Sequence, residues 1–256
     1  LFGVLAGETF TRKPASDLKV GIARRHFFDD LDPQFAAALD TAVKEIEVLV
    51  ADMTEVDVVG AEVATYGVSL VLLPHMAELL KEDLLSRPQQ FQPETQRLLE
   101  LGREMSDQDR ANGEAARSSV TRAFDAVFSS VDVVLTPTVP GPPPLVDEVA
   151  RHLTNRDPDM SYLPKTGPMN LAGVPSLTLP VGLTSDGWPI GLLLTAARGR
   201  DDLVLDLGEA IEEALGARYA DRVAQPRLPN SAPKRNLGAE TSANESLSPE
   251  TTRVVS

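Results

Sequence analysis

Cysteine is absent from this 256-residue sequence, and long hydrophobic runs are absent as well. Without thiols the chain can form neither disulfides nor thiolate metal sites, and it cannot use a cysteine nucleophile. This composition suits a reducing compartment, and we predict a cytoplasmic location. The longest apolar run, Val68 to Leu73, is interrupted by Ser69 and ends at Pro74. Crossing a bilayer requires about 20 apolar residues, so we predict no membrane span.

Positive charge is scarce in this chain. It has 24 Lys and Arg against 38 Asp and Glu, which gives a formal net charge of -14. Wide contact with nucleic-acid phosphates needs Lys and Arg to displace counterions, so we expect no nucleic-acid partner. With 42% hydrophobic residues, the chain can still build one sizeable core or two small ones.

Generic catalytic motifs are missing too. The sequence has no phosphate-binding loop, dinucleotide turn, His-Glu-x-x-His helix or Gly-x-Ser-x-Gly elbow. The histidines His26, His75 and His152 are scattered without metal-ligand spacing, which predicts surface or packing roles, no metal site and no cofactor. The pairs Ser118-Ser119 and Ser129-Ser130 lie within or at the end of a predicted helix. A solvent face or a cap is therefore favoured over a nucleophile.

Hydrophobic periodicity predicts strands that alternate with helices, and therefore an α/β fold. Asp32 and Pro33 predict the start of a helix in which Phe35, Leu39 and Ile46 share a face. A capping box at Ser106 to Asp109 predicts another helix, which runs to about residue 129. Strands are predicted over 19–23, 56–59, 131–135, 174–183 and 190–195.

Three further helices are predicted. One spans 62–80, where Pro74 should kink or end it, and one spans 93–102. The last is capped by Asp201 and Asp202 and stopped by Gly216. Its apolar face consists of Val204, Leu207, Ile211 and Leu215.

The two ends of the chain have distinct compositions. Residues 1–6 predict the last turns of a helix ended by Gly7. Because the sequence does not begin with Met, we expect a processed chain or a piece of a longer protein. From about Pro226 it is rich in Pro, Asn, Ser, Thr and Glu, which predicts a disordered tail over 226–256.

One segment is far more specific than the rest. Asn170-Leu171-Ala172-Gly173-Val174-Pro175 is followed by Gly187-Trp188-Pro189-Ile190-Gly191. Together with Asp132 to Thr138 upstream, these motifs resemble the closing part of an amidase signature enzyme. The resemblance implies that residues 1–225 are the C-terminal portion of the amidase signature domain, in which helices cover a mixed β-sheet.

The resemblance also implies a chemistry. Family members hydrolyse carboxamide bonds with a Ser, cis-Ser, Lys triad, in which a neutral lysine accepts the proton of the nucleophilic serine through the cis-serine. The triad lies on an earlier, Gly- and Ser-rich part of the chain, which has no counterpart here. We therefore assign no catalytic residue, give no catalytic role to Lys13, Lys19, Lys81 or Lys165, and expect the chain to be inactive alone.

For substrate binding, the resemblance suggests Thr166, Asn170 and Gly173 as candidates. For Asn170 a packing or turn role is favoured over substrate contact, since an amide can satisfy nearby backbone groups. Gly173 and Gly187 permit positive φ, and Pro175, Pro180 and Pro189 are expected at strand ends. Trp188 is expected to cover apolar surface or to stand at a pocket rim.

Several alternatives stay open. The A subunits of tRNA-dependent amidotransferases usually have two adjacent arginines where this sequence has Arg97-Leu98, and an Asp where it has Leu163, so a general amidase is favoured. The alternatives are a non-catalytic binding or regulatory module and a portion of such an amidotransferase. The expected partners are a small-molecule amide and either a second copy of the chain or a complementary N-terminal half.

Overall fold

The computed structural model describes residues 11–145 and 163–223, together with Gly3 and Gly7. Most of the predicted helix over 1–6, His152 and the predicted tail over 226–256 lie outside the described residues. The described ranges contain seven α-helices and five strands, which confirms the α/β prediction, although four of the helices follow one another between the second and third strands.

The strands are β1 (Lys19–Ile22), β2 (Asp52–Glu55), β3 (Val133–Pro137), β4 (Ser176–Leu183) and β5 (Pro189–Ala196). The helices are α1 (Pro33–Glu47), α2 (Ala64–Leu79), α3 (Lys81–Ser86), α4 (Pro93–Glu104), α5 (Asp107–Val127), α6 (Leu163–Ala172) and α7 (Asp201–Val223). Short 3₁₀ turns occupy Ala15–Asp17, Ala61–Val63 and Pro88–Gln90.

The five strands form one mixed sheet in the order β2-β1-β3-β5-β4. β1 is parallel to both β2 and β3, with Ile22 opposite Glu55 on one side and Leu135 on the other. β5 is antiparallel to β3 and to β4. The sheet is therefore mixed, as the resemblance implied.

Helices cover both faces of the sheet. Since successive strand residues point to opposite faces, Val133 and Leu135 face α1 and α7, whereas Val134 faces the layer built from α2, α5 and α6. Each face has its own buried apolar cluster. The first contains Phe35, Leu39 and Ile46 from α1 and Val204, Leu207, Ile211 and Leu215 from α7, as the periodicity predicted.

Two helix starts have the predicted local chemistry. The Asp32 carboxylate accepts hydrogen bonds from the backbone N–H groups of Gln34 and Phe35, which caps α1. At α5, Ser106 Oγ accepts from the Asp109 N–H at 3.1 Å, and Asp109 Oδ2 accepts from the Ser106 N–H at 2.9 Å. The capping box is therefore present, with Asp in the position usually held by Glu or Gln.

Two boundary predictions were wrong, and one was confirmed in part. The second strand is Asp52–Glu55 rather than 56–59, because this edge strand is mostly exposed and lacks an apolar alternation. The predicted helix over 62–80 is present as α2, and it does not end at Pro74, which is buried in the helical layer. α7 continues past Gly216, and Asp201 and Asp202 lie in its first turn rather than at its cap. A glycine within a helix costs only about 1 kcal/mol, which packing can offset.

Two further differences concern residues 163–191, the part of the chain that contains the most specific family motifs. The helix α6 was not predicted, because Gly167 and Pro168 interrupt its sequence pattern. Pro180 lies inside β4, beside an irregularity in its pairing with β5, and not at a strand end. The edge position of β4 explains this, since an edge strand leaves alternate N–H groups without a ladder partner.

Candidate functional site

A cavity of about 790 Å³ opens among α2, α5 and α6. Its apolar wall combines Val68 and Leu72 of α2 with Leu171 of α6. Val68 and Leu171 are buried, whereas Leu72 is 49% exposed and lies toward the opening. The volume falls within the range of about 300–1,000 Å³ that is typical of small-molecule sites.

The polar groups of the cavity come from four places in the chain. α2 contributes His75, α5 contributes Arg117, Ser118 and Thr121, α6 contributes Asn170, and Arg198 follows β5. Ser118 lies within α5, as predicted, but its helix face borders the cavity rather than open solvent alone. Among the described residues that line the cavity there is no Asp or Glu.

Gly173 shapes the end of the cavity because it terminates α6. Its φ of 67° is left-handed, and its N–H donates to the carbonyls of Met169 and Asn170 at 2.9 and 3.3 Å. The N–H of Val174 also donates to Met169 O, at 3.3 Å. The bonds from Gly173 to Asn170 and from Val174 to Met169 together form a Schellman-type cap, which favours glycine at position 173. The predicted positive φ at Gly173 is confirmed, as is that at Gly187, whose φ is 88°.

The structure brings together two of the three candidate substrate-binding residues. Asn170 and Gly173 both line the cavity and are exposed there. Thr166 is half-buried one turn earlier on α6 and does not line the cavity. Trp188 is 37% exposed in the turn between β4 and β5, and it is also not part of the cavity wall.

Sequence reasoning missed a buried polar cluster at the start of α6. Lys165 is only 4% exposed, and its Nζ donates to the carbonyl oxygens of His26 and Asp29 at 2.9 and 2.7 Å. His26 Nε2 lies 2.9 Å from the carbonyl oxygen of Pro164. These contacts join α6 to the loop between β1 and α1. The packing role predicted for His26 agrees with them.

The loop held by Lys165 has an uncommon backbone. His26 and Asp30 have φ values of 69° and 55°, which non-glycine residues seldom adopt. Burial lowers the pKa of the Lys165 ammonium, while the charges of Asp29 and Asp30 act in the opposite direction. The carbonyl bonds hold the ammonium inside the loop, which indicates a structural clamp.

The described part of the chain contains neither a cluster of metal-ligating side chains nor a helix that could span a membrane. Its residues contain no group of three or more His, Asp or Glu side chains arranged to hold a metal ion. Within the same ranges, no helix combines the length and the apolar character needed to cross a membrane. The cavity and the Lys165 cluster both include residues of α6, the helix that contains Thr166 and Asn170.

Comparison with known proteins identifies the family. The family model described as Amidase matches residues 7–205. The chain belongs to the amidase family. A 2-amino-5-chloromuconic acid deaminase from Comamonas testosteroni is 27% identical over 214 residues, which cover 83% of this chain and 46% of the relative. The A subunit of a glutamyl-tRNA(Gln) amidotransferase from Synechococcus sp. (strain WH7803) is 31% identical over 79% of this chain and 46% of the relative.

Solved structures agree on the fold. A crystal structure of an amidase superposes with a TM-score of 0.72 at 24% identity, covering 84% of this chain and 49% of that one. A fatty acid amide hydrolase superposes with a TM-score of 0.60 at 20% identity, covering 82% and 42%. This amidase-family chain thus spans about half the length of the relatives that it matches.

Proposed function

We propose that this chain forms the C-terminal portion of an amidase that hydrolyses carboxamide C–N bonds through a Ser, cis-Ser, Lys triad. The main support is the family match over residues 7–205, combined with coverage of only 46% of the length of the 2-amino-5-chloromuconic acid deaminase. The Gly- and Ser-rich triad segment has no counterpart in these 256 residues. In this proposal residues 1–225 are family domain and 226–256 are a disordered tail.

In this proposal the chain supplies part of the substrate pocket. The cavity among α2, α5 and α6 offers an apolar wall, with Asn170 and Gly173 at its edge. Lys165 is not the catalytic lysine in this assignment, because both hydrogen bonds described for its ammonium go to backbone carbonyls of the β1–α1 loop. Its contribution is to hold α6 in place, and the reacting groups come from elsewhere.

A portion of an amidotransferase of the tRNA-dependent type is the second candidate, because several relatives carry that name. Two sequence positions weigh against it. Leu163, at the start of α6, replaces the Asp expected by resemblance, and Leu98 in α4 replaces the second arginine. A leucine cannot receive a substrate ammonium, so we favour the hydrolase. A cytoplasmic location, and pairing with a second copy or with a complementary N-terminal half, belong to the same proposal.

The decisive experiment compares the chain alone with the chain supplied with a family N-terminal half. Ammonia or amine release from a panel of aliphatic and aryl amides is measured in both samples. We expect no turnover by the isolated chain, and hydrolysis only when the other half is present and retains its nucleophilic serine. Hydrolysis that copurifies with the isolated chain would overturn the proposal. Hydrolysis of glutamine alone would favour the amidotransferase.

A further inference from the structure

We propose that the cavity among α2, α5 and α6 binds an organic carboxylate, with the apolar body of the ligand along Val68, Leu72 and Leu171 and its carboxylate at Arg198. The inference rests on the proposed function where it concerns the substrate. If the complete protein is an amidase, its substrate is an amide that carries an anionic group away from the bond to be cleaved.

The charge of the cavity differs from that of the chain. Acidic residues outnumber basic ones by 38 to 24 in the sequence, yet the described lining includes His75, Arg117 and Arg198 and no carboxylate. Arg117 forms an ion pair with Glu114, and Arg198 forms one with Asp125. Neither acidic residue is part of the lining. A carboxylate ligand would complement the charge that this lining presents.

Arg198 is better placed than Arg117 to receive the ligand. Arg117 is held by Glu114, with its Nε 2.9 Å from Glu114 Oε2 and its Nη2 on the same oxygen. The contacts of Arg198 are longer: Nη2 lies 3.7 Å from Asp125 Oδ2, and Nη1 lies 3.5 Å from the carbonyl oxygen of Ala172. The half-exposed guanidinium of Arg198 therefore keeps donors for a two-point bond to a carboxylate.

The neighbouring groups fit the same ligand. Arg198 lies near the carbonyl of Ala172, the last residue of α6. Asn170 and Gly173 flank Ala172 in the sequence, so both candidate residues lie at the end of α6 that is near Arg198. The exposed Asn170 amide can donate to a second carboxylate oxygen or to the substrate amide. Val68, Leu72 and Leu171, in contrast, offer only hydrocarbon to the body of the ligand. An alkyl or aryl carboxylate satisfies both parts.

The test measures binding directly on the purified chain. Octanoate, octanamide and heptylamine have the same heptyl chain and differ in the charge of the head group, so calorimetric titration at low salt separates the charge contribution from the apolar one. We expect octanoate to bind about tenfold more tightly than octanamide, and heptylamine most weakly, since a charge-assisted hydrogen bond is about twice as strong as a neutral one and low salt screens it little. Shortening the acid to hexanoate should weaken binding by about two- to fourfold per methylene.

Variants assign the effect to the cavity. Arg198→Gln should remove the preference for octanoate over octanamide, while Arg122→Gln, on an exposed arginine of α5 outside the lining, should preserve it. Leu72→Asn should weaken octanoate and octanamide by similar factors. Equal affinity for the acid and the amide, a preference that survives Arg198→Gln, or no saturable binding of any of the three compounds would overturn the inference.

Turnover assays keep this inference separate from the proposed function. The chain combined with its N-terminal half is given neutral alkyl amides and matched amides that carry a terminal carboxylate. A higher kcat/KM for the anionic amides, lost in Arg198→Gln, supports the inference. Hydrolysis of both amide series at equal rates would overturn it and leave the amidase proposal standing. Binding of octanoate without hydrolysis of any amide would support the anion site and overturn the hydrolase.

Discussion

Gly102 lies where α4 crosses the backbone of α2, and its replacement by alanine should be strongly destabilising. A Cβ at this position would lie 2.2 Å from the carbonyl oxygen of Leu73 and 2.5 Å from its carbonyl carbon, whereas ordinary contact begins at 3.4 Å. The nearest group after these is the backbone nitrogen of Pro74, at 3.1 Å. No side-chain rotation can relieve the overlap, so the two helices must separate by about 1 Å.

The expected magnitude follows from two opposing terms. Forced overpacking costs typically about 1–3 kcal/mol, and the upper end applies because both obstructing groups are backbone. Gly→Ala within a helix returns about 0.5–1 kcal/mol. We therefore expect Gly102→Ala to lower the free energy of unfolding by about 2 kcal/mol, and the midpoint temperature by about 4–8 °C for a chain of this size. Urea and thermal unfolding followed by circular dichroism measure the two quantities.

Gly216→Ala is the matched control, since Gly216 lies within α7 and the one described atom within 4 Å of a Cβ there would be Glu212 Cγ, at 3.7 Å. It should raise the free energy of unfolding by about 0.5–1 kcal/mol, because only the helix-propensity term acts. If Gly102→Ala proves neutral, or stabilises the protein as much as Gly216→Ala does, the close approach of α4 to α2 is not what requires glycine, and the reasoning is refuted.

Two further substitutions test buried polar groups. Lys165→Met should lower the free energy of unfolding by about 2 kcal/mol, since the carbonyls of His26 and Asp29 lose a charged donor. The pKa of Lys165 is lower in the folded chain than its ordinary value of 10.5. Between these two pKa values the unfolded chain binds more protons than the folded one, so the stability of the wild type should rise with pH relative to that of the variant. A stability difference that does not change with pH across the alkaline range would contradict this assignment. Thr136→Val should raise the free energy of unfolding by about 1 kcal/mol, because the fully buried Thr136 hydroxyl has no hydrogen-bond partner among the described residues. Thr195→Val is the control and should lower the free energy of unfolding, since Thr195 Oγ1 lies 3.0 Å from Ser176 Oγ. If Thr136→Val lowers the free energy of unfolding as much as Thr195→Val does, the Thr136 hydroxyl is also hydrogen-bonded.

The features that could be predicted from the sequence depend on neighbours in the chain. Asp32 and Ser106 cap their helices through bonds that span two or three residues, and the buried face of α1 follows from the 3.6-residue period. The positive φ of Gly173 belongs to a helix end formed by residues four and five positions apart. Such interactions are local, so their residue types were sufficient to predict them.

The wrong or missing predictions depend on distant residues. β2 is identified as a strand only by its pairing with β1, because its own side chains are mostly exposed. α2 does not end at Pro74, because this proline is buried where α4 and α5 pack against α2. Local propensity disfavours both elements, and tertiary contacts outweigh it.

The candidate site divides in the same way. The Asn-Leu-Ala-Gly motif, together with the Gly187 to Gly191 motif and the Asp132 to Thr138 segment, indicated the family from sequence. The resemblance also suggested Asn170 and Gly173 as substrate-binding candidates, and both line the cavity. Only the tertiary structure placed His75, Arg117 and Arg198 around one apolar cavity, and only it showed Lys165 buried against the β1–α1 loop. A short motif is recognisable because its bonds are made within a few residues. A cavity and its charge arise from side chains that are far apart in the sequence and meet only when the helices pack.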